Sequence, residues 1–160
     1  MTDKRDLILE RLAALLQECV DDSKSFFRNT DTVPEKRRPA ILMVDADEEL
    51  DPRFANPPGN RLPNAAQIMA AKPQTFLYLD GKPDFVDGQS TDENGVGKKL
   101  NAFRIKVLRK VLNDQTLIDL CVPGGIKYDG FMTGLASGRS LEGEAQLHLT
   151  FAYALFPSKL

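Results

Sequence analysis

Glu144-Ala145-Gln146-Leu147-His148-Leu149-Thr150-Phe151-Ala152-Tyr153-Ala154-Leu155 decides how the chain is read. Ala145, Leu147, Leu149, Phe151, Tyr153 and Leu155 alternate with Glu144, Gln146, His148, Thr150, Ala152 and Ala154. A period of two over this length describes a long strand with one face on a core. The other face turns small and apolar towards its end, at Ala152, Ala154 and then Phe156, so a covering partner is expected there.

Upstream, Ile126 to Met132 reads as a neighbouring strand and Gly134 to Gly143 as a small-residue hairpin loop, with Pro123-Gly124-Gly125 as punctuation before them. Lys98 to Asn113 has Leu100, Phe103, Val107, Leu108, Val111 and Leu112 on one broad face, the mark of an amphipathic helix. Gln74 to Asp80 is a further strand. Pro39-Ala40-Ile41-Leu42-Met43-Val44-Asp45 is a strand apolar on both faces, which requires cover on both sides: one helix, and a second helix, a loop or a neighbouring subunit. Residues 3 to 20 form a first helix, with Ile8, Leu12, Leu15, Leu16 and Cys19 on one stripe and Thr2 or Asp3 as cap. Phe26-Phe27-Arg28 is a short strand or a plug under it. Two excursions, 46–66 with four prolines and 81–97, show no period and are expected to carry function rather than stability.

Helix, strands, helix, strands is the order of an α+β domain: a mixed or antiparallel sheet with two helices on one side and long loops, residues 1–160 forming one domain. Its 160 residues are enough to bury a core, and 42% hydrophobic with 28% charged residues suits a globular chain. The net charge of −2 argues against nucleic-acid binding as the main task, because phosphate neutralisation needs a basic excess. No apolar run is long enough to span a bilayer, and the charged start is unlike a signal sequence. Cys19 and Cys121 sit among apolar residues and read as buried free thiols of a reducing compartment.

Candidate chemistry is sparse. Asp45, Asp47 and Glu49 alternate at a strand end and could share a hard cation, yet no second ligand cluster accompanies them, so a solvated strand end or a subunit contact is the expectation. Gly95-Val96-Gly97-Lys98-Lys99 before a helix lacks the spacing of a phosphate loop, with Asp92 where a glycine belongs and Lys99 where Ser or Thr should bind the metal. His148 is the single histidine, and neither Ser137 nor Ser140 stands in a nucleophile elbow. No catalytic residue, metal or cofactor is expected. Lys98, Lys99, Lys106, Arg109 and Lys110 share about a third of the second helix's circumference. Arg104 points instead into the apolar stripe, where it must snorkel or find a carboxylate.

The order of elements resembles a known family. The chain opens with an amphipathic helix and a strand Arg38-Pro39-Ala40-Ile41-Leu42-Met43-Val44 leading into Asp47-Glu48-Glu49. A central helix follows a long loop, then an Asp-x-x-Leu turn at Asp114 to Leu117, Gly125-Ile126-Lys127-Tyr128, and a last strand ending Leu149-Thr150-Phe151-Ala152-Tyr153. Together these are similar to the tail terminator or tail completion proteins of long-tailed phages, the minor-tail-protein-U type. The resemblance implies a structural virion protein of the tail and neck, assembled in the host cytoplasm. Its subunits form a ring, typically a hexamer, that caps the tail tube, ends tail polymerisation and meets the head–tail connector. Partners implied are other copies of the chain, the tube protein, the connector protein and DNA passing through the lumen, with no membrane. The expected interface has an acidic side (Asp45, Asp47, Glu48, Glu49, Asp51, with Arg53, Phe54 and Arg61 beyond) and a basic side (Lys98, Lys106, Arg109, Lys110). Ala152, Ala154 and Phe156 would add apolar contact. Another neck or minor tail component is the near alternative, and a small metal-dependent hydrolase using Asp45, Asp47 and Glu49 the distant one.

Overall fold

The computed structural model of the chain describes residues 3–54, 66–79, 85–86, 89–90, 96–133 and 144–159. They form an α+β fold, a mixed seven-stranded sheet with three helices. α1 (Lys4–Gln17) starts at Asp3, whose carboxylate accepts from Arg5 N, and buries Ile8, Leu9, Leu12, Leu15 and Leu16. β1 (Phe26–Arg28) runs parallel to β2 (Ala40–Val44), and every other pairing in the sheet is antiparallel. β3 (Glu48–Leu50), β4 (Gln67–Ala71) and β5 (Gln74–Tyr78) follow, then a two-residue pairing of β6 (Phe85–Val86) with β7 (Gln89–Ser90). α2 (Val96–Leu112), α3 (Gln115–Leu120), β8 (Ile126–Thr133) and β9 (Glu144–Leu155) complete the order.

Register reduces the seven strands to five ribbons. β2 and β3 are one ribbon lying against β5 and β4, and β9 lies between that β4–β5 ribbon and β8. Between the paired segments Asp45, Ala46 and Asp47 face only Lys72 and Pro73, so the β2–β3 ribbon carries one extra residue. Ala46 takes it up at φ 47°, a left-handed conformation, and Pro73, with no N–H to donate, occupies the gap in the partner. β8 bulges at the same level: the register slips between Tyr128 and Gly130, and Gly130 adopts φ 146°, open to glycine but strained for other residues.

One sheet face meets the helices. Ile41, Met43, Leu77, Leu147, Leu149, Phe151 and Tyr153 pack there with the buried stripe of α1 and with Val107, Val111 and Leu117. On the opposite face Ala40 and Leu42 form a smaller core with Val33, backed by Phe27, Phe76 and Tyr78. The doubly apolar β2 therefore has a loop, the 29–39 segment, as its second cover. Arg104 snorkels: it donates to Asn101 Oδ1 and the Tyr128 hydroxyl and lies 5.7 Å from the Phe131 ring centre.

Several expectations are corrected. The first helix ends at Gln17, short of residue 20. The Asp-x-x-Leu turn is the start of a third helix, with Asp114 as its N-cap accepting from Leu117 N at 2.9 Å. The 46–54 part of the first excursion is a strand and a 3-10 turn, and β4 was not anticipated. Residues 55–65 with Arg61, the 134–143 loop with Ser137 and Ser140, residue 80 at the end of the expected strand, and 81–84, 87–88 and 91–95 of the second excursion lie outside the described residues.

Candidate functional site

The acidic strand exit is tied up within its own chain. Arg28 forks onto Asp45 at 2.8 and 3.0 Å and also reaches Glu10 at 2.6 Å. Arg5 Nε lies 3.3 Å from Glu48, and Lys72 pairs with Glu49. Arg53 forks onto Asp51, whose side chain is almost fully buried. The hydrogen bonds from Arg28 and Arg53 hold the Asp45 and Asp51 carboxyls below the usual range. Asp47 stays exposed, its backbone carbonyl accepting from Lys72 N. Asp51 therefore offers no charge to a neighbour, correcting its place in the expected acidic patch. The cation-sharing alternation fails too, since the Ala46 bulge breaks the period between Asp45 and Asp47. Among the described residues no group of three His, Cys, Asp or Glu is placed to hold a metal ion.

Arg53 also donates to Gly125 O at 3.2 Å, reaching from the β3 side of the sheet to the β8 side. Between those limits Ala70 and Ala152 lie opposite each other and are buried. Small residues leave room for that crossing side chain. Ala152 is thus covered within its own subunit, a correction to its expected role. Ala154 is half-buried, and Phe156 is exposed with Lys4 and Lys159 against its ring at 5.9 and 4.9 Å. Phe54 is half-buried beneath the Arg53 guanidinium.

On the basic helix, Lys98, Lys99, Lys106, Arg109 and Lys110 are exposed. Lys110 pairs with Glu18 at 2.6 Å, joining α2 to the end of α1. Gly97, Lys98 and Lys99 already belong to α2, so they form no phosphate cradle ahead of it.

Where the two bulges flank β9, the face away from the helices holds a polar trough of about 470 Å3, with Asp47, Glu49, Lys72, Gln74, Asp129 and His148 around it. Its carboxylates are largely engaged: Asp129 accepts from Thr150 and pairs with Lys127, and Glu49 holds Lys72. His148 Nε2 is shielded and meets no hydrogen-bond partner among the described residues. Among the described residues no hydroxyl or thiol is hydrogen-bonded to the imidazole.

Sequence reasoning missed an apolar seam. Arg11 forks onto Asp114 at 3.0 and 2.6 Å and joins α1 to α3. One turn from that pair on each helix stand Leu7 and Ile118, 39% and 42% exposed. Beside Ile118 a cavity of about 310 Å3 is lined by Leu112, Cys121, Val122, Pro123 and Ile126. Burial pushes the Cys121 thiol up to about 12, and Lys4 nearby pulls against that shift. At the opposite sheet edge Leu50 is 46% exposed. The only signal in the sequence was an isoleucine beside Leu117 in a helix of six residues, too short for periodicity to assign its face. No protein-family model matches the chain, and no curated protein matches it.

Proposed function

We propose that the chain is a non-enzymatic structural subunit of a phage tail. Copies of it would assemble into a ring that caps the tail tube, stops tube growth and presents a surface to the head connector. The order of elements that resembles the tail terminators supports this setting. The observation that carries self-assembly is the distribution of exposed apolar side chains among the described residues: Leu50 at one lateral edge of the sheet, Met132 on β8 at the other, and Leu7, Ile118 and Phe156 at the α1–α3 side. Exposed apolar residues gathered beside a cavity mark association surfaces. The hydrolase alternative has less behind it, because Asp45 accepts both hydrogen bonds of the Arg28 fork and no group of three His, Cys, Asp or Glu among the described residues is placed to hold a metal ion.

Inactivating the gene in the virus that encodes it tests the reading. Electron micrographs should show tails of uncontrolled length without heads, and added purified protein should restore joining. Tails of normal length already joined to heads would refute the terminator role, and normal length without heads would favour another neck component.

A further inference from the structure

No further inference is drawn: the strongest candidate, the polar trough on the sheet face away from the helices, has carboxylates largely engaged within the chain, and its one imidazole nitrogen without a partner among the described residues, His148 Nε2, is itself shielded, so nothing in the structure shows what would occupy it.

Discussion

Single residues carry more of this molecule's cohesion than its composition suggests, and Asp114 shows how. One carboxylate caps α3 through Leu117 N and accepts two bonds from Arg11, so a helix of six residues is held to α1 by its N-cap residue. Asp114→Ala removes both functions and should cost about 1–2 kcal/mol, the usual range for a lost cap with some added loss of pairing. Asp114→Asn keeps a capping oxygen and should cost less than half of that, as urea unfolding of both variants would show. The Arg11 hydrogen bonds hold the Asp114 carboxyl below its usual 3.8, and Asp45 and Asp51 are lowered in the same way by Arg28 and Arg53. A group lowered in the folded state stabilises at pH values above its unfolded pKa, and that contribution disappears as pH falls through the folded value. Stability should therefore hold from neutrality to about pH 4 and decline below it, less steeply in Asp114→Asn. Gly125 is constrained by space: a Cβ there would meet the carbonyl oxygens of Ala152 and Val122, each at 2.7 Å. Both are backbone atoms with little room to move, so Gly125→Ala should destabilise by about 1–3 kcal/mol and lower the thermal midpoint.

At the scale of elements, the bulges set the shape of the sheet. Ala46 pays a left-handed backbone of roughly 1–2 kcal/mol relative to a relaxed residue. Ala46→Gly relieves that strain but adds freedom to the unfolded chain, so a net gain of about 0.5–1 kcal/mol is expected. Calorimetric melting would measure it, and an unchanged or lower midpoint would mean that the Arg5 bond to Ala46 O already relaxes the turn. The elements legible in the sequence are those with a clean period over enough residues: α1, α2, β9, and β2 with its two apolar faces. β4 escaped because Gln67-Ile68-Met69-Ala70-Ala71 alternates no polarity; Ala70 and Ala71 are both buried, on opposite faces. α3 escaped because six residues do not complete two turns. Pairings across the chain, such as Arg28 with Asp45 and Arg11 with Asp114, leave no trace in local pattern. The acidic run was therefore legible as acidic but not as internally neutralised.

For the whole molecule, that neutralisation decides how copies should attract one another. Opposite patches meeting across a head-to-tail ring was the expectation from charge alone, with Asp45, Asp47, Glu48, Glu49 and Asp51 facing Lys98, Lys106, Arg109 and Lys110. In the folded chain Asp45, Glu48, Glu49 and Asp51 answer to Arg28, Arg5, Lys72 and Arg53, and Lys110 answers to Glu18. Exchanging an existing exposed pair for an intersubunit one gains little, since such pairs are worth roughly 0–1 kcal/mol. Apolar contact should therefore set affinity, with charge adjusting only its salt dependence. Lys106→Glu with Arg109→Glu tests this without disturbing the Lys110–Glu18 bridge. Native mass spectra at low salt should match the parent, and raising salt to about a tenfold shorter Debye length should change the assembled fraction little. If the double variant instead falls to monomers at low salt, the basic face of α2 lies in the subunit interface and charge governs assembly after all. With assembly intact, the same variant asks whether that face lines the lumen. If the ring proposed above forms with that face in its lumen, the parent should bind short duplex DNA weakly at low salt, with an affinity that falls steeply as salt rises, and the variant should lose that binding while its assemblies keep their mass.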